Sequence, residues 1–158
     1  MSTLKKYIII FLISMVPIVE LRGAIPFAVG FDLNLAYSFI ICIIGNMLPV
    51  PIIYLFARKV LVWGSDKPVI GKLFTLFLEK GEKAGQKLLS HTGKGAYYGL
   101  FLFVGIPLPG TGAWTGTLAA SILDLDFKKT VIACMAGVVL AGCIVAIISY
   151  GAFGALGM

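Results

Sequence analysis

Four long apolar stretches alternate with polar segments along the chain, a pattern typical of an integral membrane protein. Residues 37–57 and 131–158 are continuous apolar runs that reach the ~20 residues an α-helix needs to cross a bilayer. Residues 8–30 and 96–122 are similarly apolar but are interrupted by proline and glycine. The pattern therefore predicts an all-α membrane protein, and 158 residues leave room for one membrane domain without a separate soluble one.

The first interrupted stretch carries two ionisable side chains, Glu20 and Arg22, between Pro17 and Pro26. A charged side chain at the centre of a bilayer costs roughly 2.5–3.5 kcal/mol or more. The two prolines disfavour a continuous helix through the pair, and such backbone is tolerated at membrane depth where it is buried in protein or lines a cavity. We interpret the pair as a transport or binding site; the simpler alternative is a short helix whose Arg22 extends to the headgroups.

The second interrupted stretch has two prolines and four glycines within residues 105–116. This density of helix breakers predicts a re-entrant turn, although a kink packed by small residues is the alternative. Backbone N–H groups freed near the start of the next helix can face an anion. Thr111 and Thr115 add hydroxyls, and Trp114 adds an indole N–H and a flat apolar face.

The two halves of the chain resemble one another at a constant offset of 92 positions. A shared Asp-Leu-Asn/Asp sequence, Asp32–Asn34 and Asp124–Asp126, precedes each continuous apolar run. Further matches are Ser38 with Thr130, Cys42 with Cys134 and Gly45 with Gly137. Chance likeness of hydrophobic runs and simple helix N-capping are the alternatives, but the whole register favours a duplication. Corresponding broken segments in two halves are the best sequence pointer to a transporter's binding site.

Two topologies are compatible with this pattern. In one, all four apolar stretches cross the membrane; in the other, the two broken stretches are re-entrant hairpins and two helices cross. Each places ten basic residues inside and two outside, so the positive-inside rule does not choose. The breakers favour the second, an inverted repeat of hairpin plus helix, with residue 2 and Met158 both outside. We expect repeat 1 at residues 7–61, a connector at 62–94 and repeat 2 at 95–158, with the hairpin tips meeting near the membrane midplane.

The connecting region, residues 58–94, is basic, with eight Lys or Arg against three acids. Its spacing predicts an amphipathic helix over residues 69–89 on the cytoplasmic interface. The apolar positions are Ile70, Leu73, Phe74 and Phe77, and the basic stripe is Lys80, Lys83 and Lys87. The single histidine, His91, is interpreted as a surface residue rather than a proton relay.

Composition narrows the function classes. The net charge of +6 lies near the expected bilayer surface, so we expect contact with membrane lipids and anionic headgroups and no nucleic-acid partner. The three cysteines lie in apolar helices without metal-ligand spacing, and we expect neither a metal nor a cofactor. The apolar N-terminal stretch is too long for a signal peptide and lacks a small-residue cleavage site. No nucleophile–base pair, metal cluster or phosphate-loop motif is present in the sequence, so we expect no enzyme.

At this point the motifs resemble a known family. Glu20-x-Arg22-Gly23-Ala24-x-Pro26, with the segment from Pro107 to Gly116, resembles the small multidrug export proteins, distant relatives of the DedA (SNARE-associated/VTT) superfamily. The resemblance implies a multi-pass protein of a bacterial or archaeal cell membrane with paired re-entrant hairpins and a transporter-like core. DedA relatives are implicated in returning undecaprenyl phosphate across the membrane and in proton-motive-force homeostasis. Unlike typical DedA proteins, this chain has no acidic or arginine residue in its second broken segment.

The sequence thus predicts a transporter or flippase for an anionic or amphipathic substrate, such as a polyprenyl phosphate. Arg22 would bind a phosphate or carboxylate, and Glu20 would carry a coupling proton, with burial and the nearby guanidinium acting on it in opposite directions. Alternatives are efflux of cationic lipophilic drugs, with Glu20 as counter-charge and Trp114 as aromatic platform, and a non-transporting scaffold. A homo-oligomer is plausible because so few helices enclose little cavity. The predicted site comprises Glu20, Arg22, Gly23, Pro26, Pro107, Pro109, Gly110, Thr111, Gly112, Trp114 and Thr115.

Overall fold

A computed structural model describes residues 2–69, 71–92 and 95–155. Within this part the chain is all-helical without a β-strand, as predicted, while Met158 lies outside it. The helices are α1 (Thr3–Met15), α2 (Glu20–Gly30), α3 (Leu35–Met47), α4 (Pro49–Ile52), a π-helical turn (Ile53–Ala57), α5 (Arg58–Ser65), α6 (Gly71–Thr92), α7 (Ala96–Gly105), α8 (Ala113–Ile122) and α9 (Phe127–Ala155).

Two helical rods are long and apolar enough to cross a membrane. The first runs through α3, α4 and most of the π turn, Leu35–Phe56, and the second is α9. At 1.5 Å per residue they measure about 33 and 43 Å, more than the ~30 Å hydrocarbon core of a bilayer. These two rods confirm the predicted membrane-capable helices, with bounds within a few residues of the apolar runs.

Helices α1 and α2 form an antiparallel hairpin closed at its base. A four-residue loop, residues 16–19, joins them, and the Lys6 ammonium near the start of α1 donates to the Phe31 carbonyl past the end of α2 at 2.9 Å. The break occurs at Pro17, while Pro26 lies inside α2. The two prolines predict that no continuous helix runs through the Glu20–Arg22 pair, and in the structure only Pro17 lies at a break. Pro26 is accommodated because it removes the intrahelical bond to one first-turn carbonyl, that of Arg22, while the packed face of α2 remains buried.

Helices α7 and α8 form the second hairpin, joined by residues 106–112. Its base is closed by the Tyr97 hydroxyl, which accepts the Asp126 backbone N–H at 3.0 Å, and by the Lys129 ammonium, 5.6 Å from the centre of the Tyr97 ring. The arms of both hairpins have 10 to 13 residues, so each is about 15–20 Å long. A single arm therefore reaches little more than halfway through a bilayer core.

Both hairpins end, and both long rods begin, in the same local structure. Asp32 and Asp124 have left-handed φ angles of 54° and 50°, and each forms the turn of a Schellman-type helix end. The matching hydrogen bonds are Leu33 N–H to Ala28 O and Leu125 N–H to Ala120 O, both 3.0 Å, and Tyr37 N–H to Asn34 Oδ1 and Lys129 N–H to Asp126 Oδ1, at 3.2 and 2.9 Å. The 92-residue register seen in the sequence is therefore also a register of backbone geometry.

Contacts between the halves place the two hairpin bases at opposite ends of the rods. The Tyr54 hydroxyl, near the end of the first rod, donates to the Leu125 carbonyl at the base of the second hairpin. Gly30, at the base of the first hairpin, lies against the ring of Phe153 near the end of α9. Each rod therefore runs from its own hairpin's base to the base of the other.

Glycine allows the first arm of each hairpin to pack closely on the rod of its own half. A Cβ atom added to Gly137 of α9 would lie 2.8 Å from the Phe101 carbonyl oxygen and 2.7 Å from Val104 Cβ. The registered residue, Gly45, is equally close to the Phe11 carbonyl. Small residues at such contacts are how membrane helices approach one another.

The connector contains the end of α5 and all of α6. The predicted helix over residues 69–89 is present as α6, beginning at Gly71 and extending to Thr92, and it packs against α5 and α8. Leu73, Lys80 and Lys83 are exposed. Residue Ile70 and the side chains of Phe74, Phe77, Lys87 and His91 lie outside the described part, and the interfacial location of the helix remains a prediction.

Candidate functional site

The first hairpin tip presents Glu20 in a constrained backbone. Glu20 has a left-handed φ of 52°, and Ile18 two residues earlier has a φ of 75°. Such conformations cost about 1–3 kcal/mol for residues other than glycine. The Glu20 side chain is only 3% exposed, so the turn that follows the apolar residues 16–19 directs a carboxyl group inward.

The Glu20 carboxylate caps helix α8 of the other hairpin. Its Oε2 atom accepts the Ala113 N–H at 3.3 Å and its Oε1 atom accepts the Trp114 N–H at 3.0 Å. The N-cap position of α8 is Gly112, which has no side chain to fulfil this role. A carboxylate at a helix N-terminus satisfies unpaired N–H groups and opposes the positive end of the helix dipole. Glu20 therefore supplies in three dimensions the cap that α8 lacks in sequence.

Gly112 makes this approach possible. Its φ of 142° lies in a region that disfavours L side chains, and a Cβ atom there would lie 2.5 Å from Glu20 Oε2 and 2.7 Å from Oε1. Any side chain at position 112 therefore competes for the space that the carboxylate occupies. Gly110 has a left-handed φ of 80°, and a Cβ atom added there would have no neighbouring atom within 4 Å, so its role is conformational and not steric.

Arg22 caps the other side of the same break. Its Nη1 atom donates to the carbonyls of Leu108 and Thr111 at 2.9 and 2.8 Å, and its Nη2 atom donates to Val104 and Ile106 at 3.0 and 3.3 Å. Val104 lies in the last turn of α7, where carbonyl groups lack helical partners. A cation at a helix C-terminus also complements the dipole. The planar guanidinium thus gathers four main-chain oxygens of the second tip.

The loop itself is folded around these contacts. The Thr111 hydroxyl lies 3.0 and 2.8 Å from the carbonyl oxygens of Ile106 and Leu108. Both of these oxygens also accept hydrogen bonds from the Arg22 guanidinium. Pro107 and Pro109 restrict the backbone between them. The predicted turn of the second hairpin is therefore a compact loop organised by a side chain of the first.

Glu20 and Arg22 bind the second hairpin rather than each other, and no direct ion pair joins them in the described part of the chain. The Glu20 carboxylate binds the positive N-terminal end of α8, and the Arg22 guanidinium, two residues later in the chain, binds the negative C-terminal end of α7. We call these six contacts the tip brace. In this conformation the Arg22 Nη atoms are engaged, so binding of a substrate anion by Arg22 requires the brace to loosen.

Asn46, on α3, was not singled out from the sequence. Its side chain is completely buried and acts on the Glu20 carboxyl, yet neither its Oδ1 nor its Nδ2 atom has a hydrogen bond of normal geometry within residues 2–69, 71–92 and 95–155. An unsatisfied buried polar group costs about 1–3 kcal/mol. The signal available in the sequence was an asparagine at the position where the second half has Val138.

Other polar groups lie beside the brace. The Cys134 thiol of α9 lies close enough to Glu20 to be affected by its charge, and it is 3.5 Å from the Thr117 hydroxyl of α8. The Trp114 indole Nε1 is buried and has no hydrogen-bond partner in the part of the chain that the structure describes. The residues that contact or affect Glu20 therefore include polar atoms without a normal hydrogen bond, namely those of the Asn46 amide and the Trp114 indole.

The remaining predicted site residues lie next to the brace without forming it. Gly23 packs under the Val19 side chain in the first turn of α2, and a Cβ atom there would lie 2.4 Å from Val19 Cγ1. Pro26 is half-buried further along α2, and Thr115 is half-buried in the first turn of α8. Among the described residues no group of three or more His, Cys, Asp or Glu is arranged to hold a metal ion.

Comparison with known proteins gives one family. The model of the family described as "Putative small multi-drug export protein" matches residues 20–144. The match starts at the second arm of the first hairpin and continues through the first rod, the connector and the second hairpin into α9. No curated protein and no solved structure shows significant similarity to the chain.

Proposed function

Since the chain belongs to the small multi-drug export family, we propose that it is a membrane transporter in which the tip brace closes the substrate path. The single observation that carries this proposal is the capping of both ends of the second hairpin's break by Glu20 and Arg22. A structural contact between helices rarely needs a buried carboxylate together with a half-buried guanidinium, because removing charges from water is costly. A gate that must open benefits from contacts that a proton or a charged substrate can replace.

The proposed arrangement in the membrane is an inverted repeat of re-entrant hairpin plus crossing helix. Three observations support it: the short arms, the closed bases, and the location of these bases at opposite ends of the two rods. In this arrangement one hairpin enters from each leaflet, and the charged tip meets the backbone donors of the other near the midplane. Transporters commonly build their substrate site from discontinuous helices of this kind.

The proposed substrate is anionic or amphipathic, and a polyprenyl phosphate carrier lipid is one candidate. The groups that the brace would release on opening are two N–H donors at the start of α8 and the Arg22 guanidinium. Both are typical partners of phosphate and carboxylate groups. The released groups would therefore favour an anion.

A second candidate is efflux of cationic lipophilic compounds. The description of the family names multi-drug export. The only buried carboxylate of the described part, that of Glu20, accepts the backbone N–H of Trp114, whose side chain is half-buried. In this version a cation would pair with Glu20 and stack on the indole.

Proton coupling through Glu20 can be tested directly. In proteoliposomes, we expect wild-type protein to accumulate substrate in response to a pH gradient, with polyprenyl phosphates and cationic drugs assayed in parallel. Glu20→Gln should still bind substrate but should lose gradient-driven accumulation by at least about tenfold, because an amide carries no exchangeable carboxyl proton. Glu79→Gln, which removes an exposed acid on α6, is the matched control.

Gradient-driven transport by Glu20→Gln at the wild-type rate would remove the coupling role. If the wild-type protein moves none of the candidate substrates, a scaffold becomes the better interpretation of the brace.

A further inference from the structure

The amide of Asn46 identifies a second position for the Glu20 carboxyl group. Asn46 is completely buried and acts on the Glu20 carboxyl from α3, although neither of its polar side-chain atoms has a hydrogen bond of normal geometry in the described residues. Buried amides are nearly always well satisfied, so this amide points to a closer contact with Glu20 than the present conformation contains.

The groups that face Glu20 differ in what they can bind. From α8 it meets the N–H groups of Ala113 and Trp114, from α2 the Arg22 charge, and from α9 the Cys134 thiol. The N–H groups and the guanidinium favour a carboxylate, because they only donate. The Asn46 amide both donates and accepts, and its Oδ1 atom is a strong acceptor for the O–H of a protonated carboxyl group.

We propose that Asn46 receives the protonated Glu20 side chain, which donates its O–H to Asn46 Oδ1 and leaves the N–H groups of Ala113 and Trp114 to an oxyanion of the substrate. The proton comes from water and remains on Glu20, and the oxyanion takes the place of the carboxylate at the N-terminus of α8. The inference rests on the proposed function and specifies it: one proton and one phosphate or carboxylate group bind together, so the transport is symport.

The location of the oxyanion follows from the donors that Glu20 vacates. Two N–H groups at the start of the ten-residue helix α8 can bind an anion. Arg22, which donates to the Thr111 carbonyl in the loop just before α8, adds a positive charge close to them. The ligand's phosphate can belong to a free ion or to a lipid headgroup. Inorganic phosphate in detergent and a lipid phosphate monoester in nanodiscs therefore form the two arms of the test.

The decisive variant is Asn46→Val, because valine is the residue at the registered position 138 of the second half. The control is Thr130→Val, which removes a buried hydroxyl that is likewise without a partner in the described part, at the start of α9. Binding is measured between pH 5 and 6, where inorganic phosphate keeps one negative charge. Linkage of one proton to binding strengthens the apparent affinity up to tenfold per pH unit on acidification.

We expect wild type and Thr130→Val to approach this tenfold change and Asn46→Val to show less than a twofold change. Asn46→Asp keeps the size of the side chain and an oxygen acceptor. The carboxyl group introduced at position 46 and that of Glu20 should then share a proton, which should extend phosphate binding to higher pH. Full pH dependence in Asn46→Val, or no extension in Asn46→Asp, overturns the inference. Absence of binding by wild type in both arms also overturns it, whereas gradient-driven transport of a cationic drug would leave the proposed function standing.

Discussion

Arg22 and Glu20 show how two residues of one tip can organise the backbone of another. Arg22 donates hydrogen bonds to four carbonyl groups across eight residues of chain, and Glu20 accepts hydrogen bonds from two N–H groups. Each charge lies at the helix end whose dipole it complements. The brace therefore depends on the shape of these groups as well as on their charge.

Replacing Arg22 by lysine should separate shape from charge. An ammonium keeps the positive charge but cannot reproduce the planar fork that reaches both Val104 and Thr111. We expect Arg22→Lys to lower the free energy of unfolding by about 1.5–3 kcal/mol, the range for hydrogen bonds to charged groups, and to impair transport. Chemical denaturation in detergent measures the first effect. Lys128→Arg, on the exposed start of α9, is the control, and equal stability of the two variants would contradict the role of the fork.

Gly112 and Glu20 should be energetically coupled. Gly112→Ala places a Cβ atom within 2.5 Å of the carboxylate, so the single variant should be destabilised by about 1–3 kcal/mol through overpacking. In Glu20→Ala the clash is absent, and adding Gly112→Ala should then cost less. A double-mutant cycle measures this difference. Additive free energies would show that the two residues do not meet.

These residues also show what sequence can and cannot predict. Glu20 and Arg22 were found because charge is costly in an apolar stretch, and the second tip because proline and glycine accumulate there. The sequence did not indicate that Arg22 binds main-chain carbonyls or that Asn46 faces Glu20, because both depend on which tip lies against which helix. Proline alone does not show which of Pro17 and Pro26 interrupts the helix, because the packing of α2 preserves the helix at Pro26.

At the scale of helices, each rod accepts the first arm of its own hairpin at a glycine. Gly137→Ala should lower the free energy of unfolding by about 1–3 kcal/mol, because its Cβ atom would clash with the Phe101 carbonyl oxygen and Val104 Cβ, and backbone atoms do not yield readily. Gly151→Ala lies in the same helix with no atom within 4 Å of the added Cβ and should be neutral or slightly stabilising. Equal destabilisation by the two variants, measured by denaturation in detergent, would argue against this packing.

The helix ends were the most predictable part of the fold. The Asp-Leu-Asn/Asp sequences produce the same left-handed turn and N-cap in both halves because these features are local. The pairing of Tyr54 with Leu125, or of Gly30 with Phe153, is non-local, and no periodicity in the sequence specifies it. The correspondence between equivalent positions of the two halves could therefore be read from the sequence, whereas the contacts between the halves could not.

At the scale of the whole molecule, the proposed inverted repeat inserts the two hairpins into the bilayer from opposite sides. The first hairpin then returns the chain to the side on which it began, and residues 2 and 36 share one side. The second hairpin does the same, and residues 67 and 128 share the other. If instead all four apolar stretches cross, both pairs are split across the membrane.

Single-cysteine accessibility tests this claim most directly. Ser2→Cys, Ala36→Cys, Lys67→Cys and Lys128→Cys, all at exposed positions, are placed in a background without the three native cysteines and labelled with a membrane-impermeant reagent from each side. We expect Ser2→Cys and Ala36→Cys to react from outside and the two lysine replacements from the cytoplasm. Labelling of Ser2→Cys from the cytoplasm and Ala36→Cys from outside would contradict the account.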